Sequence, residues 1–441
     1  MRSKSLFPPF FEKERQVAKE ICPEKKLFFI EGYGCSLNKA ETEQIHGFLE
    51  ANGFARVSKP EQAEIIIINT CAVKEPTENK MLARTEALFK LAEKTKAKLV
   101  VFGCLPKINS ARISGISEKI VQCGPNLEEL AGHLKIKPLK FSPLIKQKRA
   151  NKFVSIIPVA RGCLGSCSFC ATKFARGSLH SYPIESIKQK FDLETKNPCE
   201  VWLTAQDCGC YGFDNGTSLV SLLKELLKSK KQFRIRIGMM NPGHALKIID
   251  SLLPLFRDRR LYRFFHIPLQ SGSDSILKKM NRHYSKKQFF SLLKKIRKKL
   301  PDATISTDII VAFPSESEKD FAETIAAVKR MKPDITNISR FGARPGTAAA
   351  KMSRQLHGRE KKRRSRILSD LQKKISLERK KRFFGRTLEI FVSEKGSRGN
   401  FVGRDISYNP VVIEKNLLGK FAKVRIEKAF SGFLLAKTPK E

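Results

Sequence analysis

The sequence predicts an α/β protein with an N-terminal parallel α/β domain, a central (βα)6 partial barrel and a small C-terminal antiparallel β-barrel. Three observations carry this. Short runs rich in Ile, Val and Phe alternate with helical patterns through the first part of the chain. After a basic linker the alternation restarts and repeats six times. From Gly385 the pattern becomes short alternating segments separated by turns of Gly, Asn and Ser.

The first part holds three similar units. KLFFIEGYGC ends in Cys35 and leads into a helical pattern from Asn38 to about Ala51. AEIIIINTC ends in Cys71, with a helical pattern from about Thr77 to Ala92, and AKLVVFGC ends in Cys104. Spacings of 36 and 33 residues between these cysteines fit one strand and one crossover helix each. Each cysteine falls just past the carboxyl end of its strand, and in an open parallel sheet those ends share one edge, where ligand sites form. Three thiols distant in sequence are therefore expected to converge on a metal, rather than to serve as three buried small hydrophobes. Cys22 and Cys123 lack this placement and read as structural or incidental.

Residues 1–134 form the first domain and 135–151 a basic linker. The central core spans 152–354, a basic helical connector 355–384, and the small barrel 385–441. Within the core the expected strands are Phe153–Val159, Glu200–Leu203, Phe233–Ile237, Phe264–Pro268, Thr304–Val311 and Ile335–Phe341. Six βα units in about 190 residues indicate a partial barrel, not a complete eight-stranded one. In the connector, Ile367, Leu371 and Ile375 recur at i, i+4 and i+8, which predicts one packed face and one charged face. The charged face is either solvated or an RNA contact. The segments TLEIFVSEK, NFVGRD, NPVVIEK and KFAKVRIEKAFSGFLLAK are the strands of a barrel type often used for nucleic acid.

Composition narrows the class. Lys and Arg total 85 against 43 acidic residues, a formal net charge of +42. Such a field attracts polyanions, although a generally basic proteome or adaptation to heat or salt gives the same excess. Hydrophobic residues make up 41% of the 441, with a mean hydropathy of −0.30 and no uncharged apolar run of membrane-spanning length. The leader MRSKSLFPPFFEKERQVAKE is basic without the apolar run of an export signal. A cytoplasmic protein without a membrane is expected, and its eleven cysteines read as metal ligands and buried thiols instead of disulfides.

Cys163, Cys167 and Cys170 form C-x3-C-x2-C on the loop after the first core strand. Three thiolates on a compact loop hold three irons of a cubane cluster and leave the fourth iron open to a cofactor. Structural zinc wants a fourth ligand, and the nearest further candidate, His180, lies well beyond the loop. This motif, after the first strand of a six-unit barrel, resembles the radical S-adenosylmethionine (SAM) superfamily. The resemblance implies that the open iron binds SAM and that the reduced cluster cleaves it to a 5′-deoxyadenosyl radical.

Across about residues 27–440 the chain resembles the methylthiotransferase family within that superfamily. EGYGCSLNKAETE, INTCAVKE and VFGCLP match the family's ligands for a second [4Fe–4S] cluster, so Cys35, Cys71 and Cys104 are its implied ligands. CSFCATKFARGSLHSYP, VWLTAQDCGCYGFDNG and FGARPGTAAAKM resemble the archaeal and eukaryotic subgroup that acts on N6-threonylcarbamoyladenosine in tRNA. The implied reaction has two parts. One SAM methylates a sulfur held on the auxiliary cluster; a second yields the radical that removes hydrogen from C2 of adenosine 37, where the methylthio group joins. The implied partners are tRNA, SAM and an electron donor such as a ferredoxin or flavodoxin-type protein. Methylthiolation of another tRNA adenosine or of a ribosomal protein is the alternative within the family, and a non-enzymatic metal-containing RNA-binding protein the alternative outside it.

Strand-end residues of the barrel face such a site. Gln206 and Asp207 are candidates for the methionine amino group of SAM or the substrate, with a turn role as the alternative for Asp207. His266, Gln270 and Ser271 close the fourth strand, where family members contact SAM; His266 also reads as a core histidine. Asp308 follows the family pattern of the fifth strand. The usual pattern has Gly where Ala312 and Ser315 stand, so adjusted packing around the adenosine is expected. Arg176 and Arg344 are candidates for RNA or for the carboxylate of the threonylcarbamoyl group.

Overall fold

The computed structural model describes residues 24–438, and Cys22 lies outside them. The chain divides into two compact units, one of residues up to Ala150 with 170–178 and 344–346, the other of the remainder.

The first unit is built on a fully parallel sheet in the order β2-β1-β3-β4-β5. Its strands are β1 Lys26–Gly32, β2 Phe54–Arg56, β3 Ile65–Thr70, β4 Lys98–Gly103 and β5 Val121–Cys123. In β3, IIIINT, every position is buried, as expected of a central parallel strand with both faces covered. Alternation assigns the side chains to two layers. Leu27, Ile66, Ile68 and Val101 pack on one face with Leu82 and Leu88 of helix Glu75–Thr95. Phe28, Ile67, Val100 and Phe102 pack on the other with Ile45 and Leu49 of helix Ser36–Ala51. β2 and β5 were not anticipated, because three residues are too few to show a period. The placement of Cys123 is corrected accordingly: it is the last residue of a strand of the same sheet, and its side chain is buried in the Phe28 layer, as a structural thiol is.

The second unit holds six parallel strands in chain order: β6 Val154–Pro158, β9 Cys199–Thr204, β10 Phe233–Ile237, β11 Phe264–His266, β12 Thr304–Val311 and β13 Ile335–Arg340. A short ladder, β7 Ala160–Arg161 with β8 His180–Ser181, flanks β6. The sheets β10-β9-β6 and β11-β12-β13 meet through the bridge Ile235↔Leu261 and the bond from Met240 N to His266 O at 2.9 Å. Val201, Leu203, Ile235, Phe265, Ile305 and Ile309 lie in one core. β11 stops at His266, two residues before Pro268, which has no N–H for a ladder.

Strands β14 Thr387–Lys395, β15 Phe401–Asp405, β16 Pro410–Ile413, β17 Phe421–Ala429 and β18 Leu434–Lys437 close into a barrel. The expectation of a purely antiparallel barrel is corrected at one seam, where β16 and β18 pair in parallel. The β15–β16 turn docks on the amino-terminal ends of the core strands. Tyr408 packs against Tyr262 and Phe264 at centroid distances of 4.8 and 5.0 Å, and Arg263 N donates to Ile406 O at 2.7 Å. The small barrel thus covers the end of the core opposite to the carboxyl-terminal strand ends.

Helix Gly358–Lys381 packs Ile375 and Leu371 of the expected stripe against the core, but not Ile367. Arg364, Leu368, Gln372 and Ile375 are buried, while Ile367 faces out. The shift has a charge cause: Arg364 donates to Glu316 and Glu318 at 2.7 and 2.6 Å and to Glu360, so a guanidinium takes an inward position. No helix among the described residues is long and apolar enough to cross a membrane.

Candidate functional site

In the first unit, Cys71 and Cys104 follow directly on β3 and β4, and Cys35 stands three residues beyond β1. Two glycines let the backbone make these turns. Gly34 has φ +110°, and a Cβ on it would lie 2.4 Å from Cys71 Cβ; Gly103 has φ +104°, and its Cβ would lie 2.5 Å from Asn69 Oδ1. Buried amides tie the loops together. Asn38 Nδ2 donates to Thr70 O at 3.0 Å, Asn69 Nδ2 donates to Asn38 O at 3.0 Å, and the Cys35 thiol donates to Asn38 Oδ1 at 3.3 Å.

The three sulfurs act on one another. Burial pushes the Cys71 thiol up to about 11, and the charges of Cys35 and Cys104 add to the rise. Burial likewise raises Cys104. Thiolates gathered in such a place need positive charge among them. An all-sulfur donor set with three members suits an iron–sulfur cubane with one iron left open, and falls one ligand short of a closed zinc site. Those residues fit the auxiliary cluster that the resemblance implies.

Arg176, at the end of helix Thr172–Arg176, reaches into this group. Its Nε donates to Cys104 Sγ at 3.4 Å, Nη2 donates to Glu41 Oε2 at 2.8 Å and Asn38 Oδ1 at 3.0 Å, and Nη1 donates to Glu41 Oε1. Arg344 is buried against Glu78, which also accepts from Arg112 Nη1 and Asn109 Nδ2 at 2.8 and 2.9 Å. The expectation for both arginines is corrected: each guanidinium is inside the protein, bound to a carboxylate of the chain itself.

In the second unit, Cys163 and Cys167 are half-buried on the loop after β6, and the division between units falls just before Cys170. Gly165 N donates to Cys163 Sγ at 3.3 Å, and Arg282 Nη1 donates to Cys167 Sγ at 3.1 Å. At the carboxyl ends of the strands, His266 Nε2 lies 3.0 Å from both Asp308 oxygens, and Asn337 Nδ2 donates to Asp308 Oδ1 at 2.7 Å. Gln206 Oε1 and Gln270 Oε1 are buried without a hydrogen-bond partner. Two such orphaned acceptors suit a ligand rich in N–H and O–H donors, which the amino group and ribose of SAM supply.

Gln270 is held with φ +70° by bonds from its N to Asp308 O and from Ile310 N to its O, at 2.8 and 2.9 Å. Ser271 and Asp207 are placed differently from the expectation of cofactor contact. Ser271 is fully buried, accepts from Ser273 N at 3.2 Å and lies 3.4 Å from Thr324 Oγ1. Asp207 takes the turn role: Oδ1 accepts from Gly209 N and Asn241 N at 2.8 and 3.0 Å, and Oδ2 meets His244 Nδ1 at 2.6 Å. Asp207, His244 and Cys210 lie close enough together to hold a metal, but Asp207 is already satisfied and Cys210 donates to Asp207 O at 3.4 Å. Arg282 and Glu41 escaped the sequence reading, because Arg282 meets Cys167 and Glu41 meets Arg176 only through the fold; Asn38 escaped it although it lies three residues from Cys35.

Three stretches match known families. Residues 27–123 match Uncharacterized protein family UPF0004, 157–328 the Radical SAM superfamily and 381–438 the TRAM domain. A relative from Pyrococcus abyssi, "Probable threonylcarbamoyladenosine tRNA methylthiotransferase", is 38% identical over 92% of this chain and 98% of its own. The "Threonylcarbamoyladenosine tRNA methylthiotransferase" of Drosophila melanogaster is 33% identical over 94% of this chain and 78% of its own. Among solved structures, the radical SAM methyltransferase TsrM from Kitasatospora setae aligns with a TM-score of 0.56 over 74% of this chain and 77% of that one. At 11% identity that likeness speaks for the fold alone. With a cysteine triad at the sheet edge, a second on the loop after β6 and relatives matched over 98% and 78% of their own length, this chain belongs to the threonylcarbamoyladenosine tRNA methylthiotransferase family of the radical SAM superfamily.

Proposed function

We propose that the protein inserts a methylthio group at C2 of N6-threonylcarbamoyladenosine 37 of tRNA, giving the 2-methylthio nucleoside. In this reading residues 152–354 hold the radical-generating [4Fe–4S] cluster on Cys163, Cys167 and Cys170. Residues 1–134 hold the auxiliary cluster on Cys35, Cys71 and Cys104, and 385–441 meet RNA. When bound, the two clusters with SAM supply one-electron chemistry and a transferable sulfur, which no side chain of the site has. The aromatic C2–H is too weakly acidic for a side-chain base to take as a proton near neutral pH.

The chain's own residues bind, orient and exclude. Gln206 and Gln270 accept from SAM through their unpartnered amide oxygens. His266 and Asn337 fix the Asp308 carboxylate, whose position at the strand ends suits a ribose or substrate donor. The net charge of +42 draws in the tRNA backbone. Electrons come from a ferredoxin or flavodoxin-type donor. The observation that carries the reading is the gathering of Cys35, Cys71 and Cys104 at one sheet edge, because a second all-sulfur site is what sulfur insertion needs beyond SAM cleavage.

Expression in a host lacking its own enzyme, followed by mass analysis of tRNA nucleosides, tests this. The 2-methylthio derivative of N6-threonylcarbamoyladenosine is expected, and Cys71→Ala should abolish it while 5′-deoxyadenosine release persists. Unmodified tRNA with a methylthiolated ribosomal protein would turn the reading to the other family branch.

A further inference from the structure

Arg176 makes four hydrogen bonds with one guanidinium, and they divide by direction. Nη1 and Nη2 close a fork on the Glu41 carboxylate. The N–H on Nε points at the sulfur of Cys104. Nη2 also reaches Asn38 Oδ1, the same oxygen that accepts from the Cys35 thiol, so the guanidinium touches one cysteine directly and a second through one atom. Arg176, Glu41, Asn38 and Cys104 are all buried. A buried ion pair formed only for stability is a weak arrangement, since desolvation offsets much of its attraction. This one instead fixes a planar donor against a candidate metal-binding sulfur.

We propose that Arg176 is a positioning residue of the auxiliary site. Its Nε–H holds the Cys104 sulfur in the ligating orientation and draws negative charge off it, while Glu41 fixes the fork and cancels most of its net charge. The inference rests on the reading of Cys35, Cys71 and Cys104 as cluster ligands. Hydrogen bonds to ligand sulfurs and local net charge are two of the quantities that set a cluster's potential. The two partners therefore act with opposite sign. Losing Arg176 removes both the N–H on the Cys104 sulfur and a positive charge beside it, which disfavours reduction. Losing the Glu41 charge leaves an uncompensated cation beside the cluster, which favours it. A merely structural pair would weaken the fold in both cases and give no such opposition.

The test uses the full chain with Cys163, Cys167 and Cys170 all changed to Ala, so that the auxiliary cluster alone remains after anaerobic reconstitution. Its midpoint potential is read by EPR-monitored titration, and its retention by iron release to a chelator. Arg176→Ala should shift the midpoint negative and speed iron release on the order of 10-fold or more. Glu41→Gln should shift the midpoint positive. Arg176→Lys keeps the charge but not the fork, and should retain the Ala variant's fast iron release with a smaller shift in potential. If Arg176→Ala does not fold, Glu41→Gln and Arg176→Lys still carry opposite expected signs. Midpoints that do not move, or that move in the same direction in both, would overturn the proposal. No iron in the chain with Arg176 intact would overturn the auxiliary-site reading itself, and the proposal with it.

Discussion

Arg282 aims a guanidinium N–H at the sulfur of Cys167, 3.1 Å away. Its aim is set from behind: Nε donates to Tyr284 Oη at 3.1 Å, and that hydroxyl donates to Leu269 O at 2.8 Å. Each cysteine triad thus has one arginine on one sulfur. The settings differ, since Arg176 faces Glu41 while Arg282 faces a phenol and a thiol. Arg282→Ala should lower 5′-deoxyadenosine release by about 10- to 100-fold, the usual cost of losing a partner to a metal ligand. Arg282→Lys should recover part of it. A loss under about threefold in the Ala variant would remove this role from Arg282.

Ala312 and Ser315 occupy the left-handed region, with φ of +59° and +63°. These are the two positions where the resemblance leads to an expectation of Gly, and the backbone there takes the conformation that favours Gly. The turn is held by neighbours: Glu316 Oε2 accepts from Ala312 N at 2.6 Å, and Ser315 N donates to Arg354 O at 3.0 Å. An L-residue there costs about 1 kcal/mol, partly offset by the lower chain entropy of Ala when unfolded. Ala312→Gly should therefore raise the melting temperature by roughly 1–3 °C. A drop on calorimetry would mean that the Ala methyl packs more favourably than its backbone is strained.

The sheet edge was legible because strand ends in a parallel fold share a side, and Cys35, Cys71 and Cys104 sit at those ends. The six core strands were legible because Ile, Val and Phe cluster in them. Residues that act across the fold were not. Arg282 follows Cys167 by 115 positions, and no periodicity links them. Arg176 carried the right chemistry, a carboxylate fork, but sequence offered no way to see that the carboxylate is Glu41. The stripe on helix Gly358–Lys381 misled only at Ile367, for a related reason: hydrophobic spacing ignores an arginine that turns inward to meet acids.

Gly34 is the tightest point of the auxiliary loops. A Cβ there would lie 2.4 Å from Cys71 Cβ and 3.0 Å from its sulfur, and the backbone has φ +110°. Gly34→Ala must therefore push two ligand loops apart as well as strain its own. Iron content after reconstitution should fall by about half, from roughly eight to four per chain, with 5′-deoxyadenosine release retained. Full iron content in the variant would show that the loops have room that this geometry denies them.

Asp405 gives the small barrel a pH dependence of its own. Burial pushes its carboxyl up to about 6, although Asn409 donates to it from its backbone N at 2.7 Å and its Nδ2 at 3.0 Å. The folded state thus holds a proton here more tightly than the unfolded chain does. Between about pH 4 and pH 6 the folded form binds more protons, so stability falls as pH rises through this window and levels off above it. The span corresponds to about 3 kcal/mol. Asp405→Asn stays neutral throughout and should lose this slope, while its amide oxygen still accepts from Asn409 N. Denaturant titrations of both proteins from pH 4 to pH 7 read the difference directly. The variant should gain on the parent protein with rising pH up to about 6. Two stability curves that run parallel across that range would mean that Asp405 ionises in the folded protein as readily as in the unfolded chain.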